Sequence, residues 1–530
     1  MGMTKMASFG KTLVFPNNVI PRQGGQVMMM AENATDGKLE RLLGAATDLF
    51  DFVQQAAEKG KAIHEVEEGI WRRMLQMGYE AVGQFLERQG DGNLGETLTM
   101  PDGHEVARLE QPHTRRYQSI FGEFQLPRAV YGTREGQEIE LVPLDTRLQL
   151  PESEYSYVLQ DWAQALGVEH AFARTAEVLH MILGLNLPVD SLERMNRKMS
   201  ENVADFRASR SAPAAKDEGA ILVATADNKG IPMRRPADQL PAGAHRKKGE
   251  KANKKQMAAV GCVYTVDPKI RTAEDVVAAL FREHSPRRDD DPEPVAQQKR
   301  IWSSLSCERD GRFCQAEEEV FSWMADEVGL RRRRGQKIVC VMDGQPSLWA
   351  VRKTYLPGEN VVEILDLLHA TPRLWEAAYL FHREGTEEAA SFVRERLLRM
   401  LRGEAGYVIG GLRQMGTKHG LRGHCLAKLT TICNYLRKNM ARMRYDEYLA
   451  AGYPIASGVI EGACRYVVKD RMERAGMRWT VEGAQAMLSL RTTHINGQWK
   501  EFQKYRIRQE RQRLYLQQKW LKQATWPLAA

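Results

Sequence analysis

The sequence lacks any long hydrophobic run. No apolar stretch among its 530 residues approaches the roughly 20 residues that a membrane-spanning helix needs. Residues 1–35 mix cations and prolines with short apolar pieces and have no continuous apolar segment of the kind that secretion signals carry. We therefore expect a protein without membrane contact, whose first 35 residues form a disordered leader.

Cysteines are few and form no Cys-x-x-Cys pair. The seven cysteines are an odd number, and all lie between Cys262 and Cys464. This distribution argues against a zinc ribbon and against a disulfide framework. It favours reduced, mostly buried thiols in a cytoplasmic protein.

Acidic residues are in the minority, with 68 Asp and Glu against 76 Lys and Arg and a net charge of +8. This balance suits a polyanionic partner without identifying one. The hydrophobic content of 43% is that of a globular protein. A chain of this length predicts about two to four folded domains.

Periodicity and composition divide the chain into segments. We expect helices in the first folded region, then a small β unit with strand-like runs at 117–132 and 137–145, then more helices. Residues 282–300 are polar and charged and predict a loop or insertion. The basic tail interleaves cations with aromatic residues, which is typical either of DNA contact or of an amphipathic helix that packs on the core. The predicted segments are 1–35, 36–110, 111–210, 217–372, 373–450, 451–495 and 496–530.

One segment has the outline of a helix-turn-helix. Its spacing predicts a helix over 171–183, a break at 184–188 and a second helix over 190–201. Arg194 and Lys198 lie on the second helix, where a DNA-reading motif places its contacts. A plain helical hairpin within a bundle is the alternative reading.

Three acidic residues lie at positions where packing gives no reason for a charged side chain. Asp227 ends an apolar strand that starts at Ile221, Asp343 ends another at 337–343, and Glu461 lies in the first turns of a late helix. Each has a structural alternative: the first two suit turns, and the third favours a helix N-terminus that Ser457 would cap. Acids that converge can hold two divalent metal ions, and Mg²⁺ prefers oxygen ligands. The ordered set of three therefore predicts a metal site.

Two further groups of residues surround these acids. Asp366 and His369 are spaced to share a helix face, where they would support a metal, hold a phosphate or bond each other as a structural clasp. Glu461 is followed by cations at successive i, i+4 positions, which predicts phosphate contacts beside the acid or, alternatively, surface ion pairs. The cations that we expect to contact DNA in this segment are Arg465, Lys469, Arg471 and Arg478.

The segment "YPIASGVIEGACRYVVKDRMERAGMRWTVEGAQAMLSLR" closely resembles the C-terminal signature of bacterial insertion-sequence transposases of the ISKra group, relatives of Mutator-type transposases. "VMDGQPSLWA" with "VEILDLLHA" resembles their middle section, and "FGEFQLPRAVYG" with "VPLDTRLQLP" their N-terminal β segment. The likeness covers about residues 110 to 500.

The resemblance implies a DDE transposase of the α/β class. It implies a ribonuclease-H-like core, with a mixed five-stranded sheet flanked by helices, a helical insertion at 373–450 and an N-terminal helical and β region that binds DNA. Asp227, Asp343 and Glu461 match the three catalytic and metal-binding acids, and Asp366 with His369 matches an acid-x-x-histidine motif. A competing alignment makes Asp366 the second catalytic acid. Relatives have glycine where this chain has Asn228, which we expect to keep the same turn.

The resemblance also implies cofactors and partners. These are two Mg²⁺ or Mn²⁺ ions, double-stranded DNA at the terminal inverted repeats and the target, a homo-oligomeric state and action at the nucleoid in the bacterial cytoplasm. Two other functions stay open: an inactive or domesticated transposase that binds DNA, and a ribonuclease-H-like nuclease.

Overall fold

The computed structural model describes residues 36–111, 113–133, 139–234, 255–283, 293–309, 311–474, 476–521 and 526. The chain divides into two compact units. One contains the chain up to Leu159 together with the chain from Glu510 onward, and the other runs from Gln160 to Gln509. The predicted leader, residues 1–35, lies outside the described residues.

The N-terminal unit opens with two long helices, α1 (Asp36–Glu58) and α2 (Ile63–Arg88). They occupy the first part of the predicted helical region, 36–110, whereas residues 97–99 and 105–108 of that region form strands. Phe52 packs against α2 at Gly69, where a side chain would meet its ring. Arg41 pairs with Glu87 at the other end of the hairpin, so the two helices run antiparallel.

Short strands follow the helices. They are β1 (Thr97–Thr99), β2 (Glu105–Arg108), β3 (His113–Gln118), β4 (Glu123–Arg128) and β5 (Tyr131–Gly132). β3 and β4 form a hairpin, and β1, β2 and β5 form an antiparallel sheet. The strand predicted at 137–145 is wrong for the described residues 139–145. Leu141 makes only a single β-bridge, and α3 (Pro143–Leu148) begins two residues later. Pro143 sits in the first turn of α3, where its fixed φ favours a helix over a strand.

The second unit begins within α4 (Tyr157–Gly167) and continues with α5 (Phe172–Leu183), α6 (Val189–Ser200) and α7 (Val203–Ala208). The predicted helix, break and helix are confirmed in α5 and α6. Gly184 ends α5 in a left-handed conformation that glycine adopts at no steric cost. Whether this hairpin reads DNA remains a prediction.

A five-stranded sheet forms the centre of this unit. The elements of this region are, in chain order, β6 (Ile221–Pro232), β7 (Lys255–Val266), α8 (Ala273–Leu280), β8 (Gln297–Leu305), β9 (Cys307–Arg309), β10 (Arg312–Cys314), α9 (Ala316–Arg331), β11 (Ile338–Met342), α10 (Pro346–Tyr355), β12 (Val361–Leu365) and α11 (Leu367–Ala378). The strand order is β12-β11-β6-β7-β8. β6, β7 and β8 are antiparallel, whereas β11 runs parallel to β6 and β12 parallel to β11. The predicted mixed sheet of five strands with flanking helices is confirmed at this level.

The chain then forms helices, as predicted for 373–450. They are α12 (Glu387–Leu401), α13 (Ala405–Lys418), α14 (Gly423–Lys438), α15 (Tyr445–Ala450), α16 (Gly458–Cys464), α17 (Asp470–Met472), α18 (Val481–Ile495), α19 (Trp499–Leu514) and α20 (Gln518–Leu521). α16 packs on β6 and β7, and α18 packs on β8 and α6. Between α16 and α17 the residues Arg465–Lys469 form a π-helical turn, so the late helix is not the uninterrupted α-helix that its spacing predicted. Such turns are frequent at functional sites.

The predicted end of one strand and the predicted extent of one loop need correction. β6 does not end at Asp227, because Asn228 to Pro232 continue it in register with Lys255–Ala259 of β7. Asn228 is extended and forms no turn, since pairing with β7 satisfies a backbone that the Asn-Lys-Gly signature would otherwise bend. The predicted loop at 282–300 likewise gives way at 297–300, where polar residues belong to β8 and pair with β7.

The basic tail is helical and packs through its aromatic residues. Trp499 and Phe502 are buried, and Trp499 Nε1 donates to Asp161 Oδ1 at 2.6 Å. Phe502 packs edge-on against Phe206 at 5.4 Å. The packing alternative is therefore confirmed for these two aromatic residues.

Candidate metal centre

The carboxyl ends of the three parallel strands meet at one edge of the sheet. β6 pairs with β11 only over Leu222–Ala224 and then continues beside β7 alone. Thr225 makes a further contact between β6 and β11, since its hydroxyl donates to the Val341 carbonyl at 2.6 Å. Asp227 follows two residues later and is half-buried. It therefore lies where β6 leaves its parallel neighbour, which is where ligands bind in open α/β sheets.

Asp343 follows β11 directly and is held by a helix of the helical segment. Tyr435 on α14 donates its hydroxyl to Asp343 Oδ1 at 2.8 Å. The indole nitrogen of Trp349 donates to the Asp343 carbonyl at 2.7 Å. Burial and the Asp343 charge raise the pKa of the Tyr435 hydroxyl, so it stays a donor. Gly344 is required here, because a Cβ would lie 2.5 Å from the Tyr435 ring.

Asp366 directly follows β12, caps α11 and is fully buried. Its Oδ1 accepts from the backbone nitrogens of Leu368 at 2.9 Å and Ser457 at 3.2 Å. Its Oδ2 accepts from His369 Nδ1 at 3.1 Å and from the Ser457 hydroxyl. Burial raises the pKa of Asp366, but these donors outweigh it and the pKa is lowered on balance. Both carboxylate oxygens of Asp366 therefore accept hydrogen bonds from groups of the protein.

His369 links this buried acid to the surface. Its hydrogen bond to Asp366 is the main cause that raises the pKa of His369 to about 9, helped by the charges of Asp343 and Asp227 and opposed by burial. On the other side of the ring, Nε2 lies 3.3 Å from Glu461 Oε1. The imidazole is therefore positioned between a buried and an exposed carboxylate.

Asp227, His369 and Glu461 come together in one group. One ligand atom from each lies within 4.8 Å of the other two. The side chain of Glu461 is 48% exposed, so the group faces solvent. Two carboxylates and an imidazole at this separation have the composition of a divalent metal site. Asp343 is not a member of this close group among the described residues.

Cys464 and Ser457 complete the site, and sequence reasoning missed the role of both. The buried Cys464 thiol donates to Asp227 Oδ2 at 3.5 Å, and burial followed by the Asp227 charge raises its pKa. Ser457, expected as a helix cap, makes no side-chain cap hydrogen bond and donates to Asp366 instead. Tyr435 was missed as well, because no spacing pattern relates it to Asp343.

The predicted DNA-binding cations differ in their accessibility. Arg465, Lys469 and Arg478 are exposed, and Arg465 Nε lies 3.5 Å from Asp470 Oδ1. The prediction that Arg471 contacts DNA is wrong, because its side chain is buried. Its Nε donates to the Gly167 carbonyl at 2.9 Å, and burial lowers its pKa to about 9.

Arg194 and Lys198 are exposed on α6. Arg194 donates to the Ser191 hydroxyl at 3.1 Å, and Lys198 pairs with Glu201 at 3.0 Å. Both are side chains that solvent or a ligand can reach.

No protein-family model matches the sequence, and no curated protein does. One solved structure with some similarity is the Drosophila P element transposase strand transfer complex, at 9% sequence identity and a TM-score of 0.22. The match covers 68% of this chain and 84% of that chain. Among the described residues, no helix is long and apolar enough to cross a membrane.

Proposed function

We propose that this protein is a DDE transposase that cuts and joins DNA with a metal-binding carboxylate triad on a ribonuclease-H-like core. The main observation that supports this proposal is the position of Asp227, His369 and Glu461 at the carboxyl ends of the parallel strands. One ligand atom from each of these residues lies within 4.8 Å of the other two. These residues are far apart in sequence and belong to three different elements. The mixed five-stranded sheet is compatible with such a core.

In this proposal Asp227, Asp343 and Glu461 are the catalytic acids. The rival reading, in which Asp366 is the second acid, is disfavoured by burial. Asp366 is fully buried, and both its oxygens accept hydrogen bonds from the protein. A carboxylate engaged in this way orients its partner, here His369, and is a poor ligand for an ion that needs free lone pairs. Asp343 is part of the same electrostatic site, because its charge raises the pKa of His369.

The residues present fit a divalent cation. Carboxylate oxygens suit Mg²⁺ and Mn²⁺, and Asp227 and Glu461 would hold the ion. Two such ions, when bound, would supply Lewis-acid chemistry for the attack of a water or 3′-hydroxyl on a phosphodiester and for the departure of the leaving oxygen. The protein orients these acids through the Cys464 thiol on Asp227 and through His369 on Glu461. Protonated His369 also offsets the repulsion among the acids before the cation binds.

The partner in this proposal is double-stranded DNA, at the ends of the mobile element and at the target. Exposed Arg465, Lys469 and Arg478 follow the Glu461 helix in sequence and would contact phosphates, which position a duplex without reading its sequence. Arg194 and Lys198 on α6 would add contacts from the helical hairpin. A homo-oligomer at the nucleoid of the bacterial cytoplasm completes the proposal.

The test is strand cleavage and joining with DNA that flanks the coding sequence on both sides, in Mg²⁺ or Mn²⁺. Asp227→Asn and Glu461→Gln should reduce product by at least about a thousandfold while DNA binding stays close to wild type. Glu359→Gln, an exposed glutamate away from the site, is the matched control and should be fully active. Cleavage by Glu461→Gln at the wild-type rate would refute the proposal.

The product type separates the remaining functions. A transposase yields strand-transfer products, whereas a nuclease of the same fold yields only hydrolysed ends. A DNA-binding protein without enzymatic activity yields neither and still shifts the DNA.

A further inference from the structure

Glu317 lies in the first turn of α9 and links three elements beside the metal centre. Its Oε1 accepts from Asn228 Nδ2 at 2.6 Å, from the Ser347 hydroxyl at 2.9 Å and from Gln345 Nε2 at 3.0 Å. Gln345 also donates to the Ser347 hydroxyl at 2.7 Å. One carboxylate oxygen therefore joins the start of α9 to β6 and to the start of α10.

Two of these donors closely follow acids of the proposed triad. Asn228 is the next residue after Asp227, and Gln345 is the second residue after Asp343. The sheet no longer joins the two strands here, because the ladder between β6 and β11 ends three residues before Asp227. Glu317 thus connects the two acid-bearing segments at the point where the backbone pairing between them has stopped.

Glu317 approaches Asp227 from the other face of the sheet. Successive side chains of a strand point to opposite faces, and β6 continues in register with β7 through both Asp227 and Asn228. Asp227 contacts Cys464 of α16 on one face. Asn228 contacts Glu317 of α9 on the other face. Glu317 is therefore not placed to bind the ion that Asp227 would hold, and it acts on Asp227 through the backbone.

The charge and the position of Glu317 suit such a role. Hydrogen bonds to an ionised acceptor are shorter than neutral ones and about twice as strong. A carboxylate in the first turn of a helix is also stabilised by the positive end of the helix dipole. The Glu317 side chain is half-buried, and all three of its donors are uncharged side chains. The network therefore holds the two segments by charge-assisted hydrogen bonds.

We propose that Glu317 is a positioning residue of the metal centre, which fixes the segments that carry Asp227 and Asp343 relative to each other. The inference rests on the proposed function, because it requires these acids to bind a divalent cation. Ligands of such a site must be held within about 0.5 Å of their working geometry. Loss of a group that orients the ligands typically lowers metal affinity by about 10- to 100-fold.

The test measures the Mn²⁺ affinity of the full-length protein without DNA, by calorimetric titration. Asp227→Asn identifies the binding that belongs to the metal centre. Glu317→Ala removes all three hydrogen bonds and should weaken this binding at least about tenfold. Glu317→Gln keeps an acceptor oxygen without the charge, so it should lose less affinity than Glu317→Ala. Glu318→Ala is the matched control: it removes the same charge from an exposed position in the same turn and should bind Mn²⁺ as wild type does.

Asn228→Ala tests the route from Glu317 to the acid. It removes the donor nearest to Asp227 and should also weaken Mn²⁺ binding. In the Glu317→Ala background it should add little, because both changes break the same link. Chemical denaturation shows whether each variant is folded. If Glu317→Ala does not fold, Glu317→Gln and Asn228→Ala take its place, and wild-type Mn²⁺ affinity in both would overturn the inference.

The outcomes separate a structural role, the positioning role and the proposed function. A lower denaturation midpoint of Glu317→Ala with unchanged Mn²⁺ affinity is the result of a purely structural network, and it would overturn the inference. Equal affinities of Glu317→Ala and Glu318→Ala, for binding that Asp227→Asn abolishes, would overturn the inference and leave the metal site standing. A wild type without such binding would overturn the proposed metal site together with the inference.

Discussion

Replacing Asp366 by asparagine tests how the site controls the charge of His369. Asp366 is fully buried, and its hydrogen bond is the main cause that raises the pKa of His369 to about 9. Asp366→Asn keeps the size of the side chain and an acceptor oxygen but removes the negative charge. We expect at least about half of His369 to be neutral at pH 8 in the variant, whereas it is largely protonated in wild type.

The magnitude follows from the pKa. The ordinary value for histidine is 6.5, and a shift from 6.5 to about 9 corresponds to about 3 kcal/mol of preference for the protonated form. Because the hydrogen bond to Asp366 is the largest contribution, the variant should lose at least about one pKa unit of this shift. The charges of Asp343 and Asp227 remain and keep part of it.

The same shift links pH to stability. Since the folded-state pKa of His369 lies above 6.5, its contribution to the free energy of unfolding is fully present below pH 6.5 and is lost as the pH rises through about 9. The stability advantage of wild type over Asp366→Asn should therefore shrink between pH 6 and pH 9.5. Chemical denaturation at both pH values measures it.

Histidine-labelled protein gives the direct measurement by NMR titration. The chain has 12 histidines, and His369→Gln assigns the relevant signal by removing it. Asp217→Asn, at an exposed aspartate, is the control and should leave the His369 midpoint unchanged. A midpoint in Asp366→Asn within half a unit of wild type would refute the reasoning.

Three further outcomes follow from the site and its surroundings. Gly344→Ala should destabilise the second unit by about 1–3 kcal/mol and reduce cleavage, because its Cβ would lie 2.5 Å from the Tyr435 ring; denaturation and the cleavage assay measure both effects. Arg478→Ala should lower the salt dependence of DNA binding by about one phosphate contact without loss of stability, whereas Arg471→Ala should lower the denaturation midpoint, because Arg471 is buried. Added Mg²⁺ should lower the NMR titration midpoint of His369, since a cation between Asp227 and Glu461 repels its proton, and Glu461→Gln should reduce the effect.

Local patterns in the sequence were sufficient for the elements whose stability is local. The helices of 373–450 and the strand before Asp343 follow from periodicity and apolar runs, and both are confirmed. The length of β6 cannot be predicted from local patterns, because Asn228 to Pro232 are held extended by pairing with a strand more than 20 residues away. The helix at Pro143 shows the same limit, since an alternating apolar pattern and a proline in the first turn predict different structures.

Asp343 was predictable because it follows an apolar strand, and Asp227 because it follows an apolar run that the strand then extends, whereas the hydrogen-bond partners of the acids were not predictable. Ser457, Cys464 and Tyr435 each bond an acid that is between 91 and 237 residues away. Only the fold brings such pairs together, and no spacing rule relates their positions. The close group thus pairs Asp227 and Glu461 with His369, which sequence reasoning gave a supporting role. The hydrogen bond to Asp366 is the main cause that keeps His369 protonated, so in the proposed metal site the proton on that imidazole and a bound cation would compete for the same carboxylates.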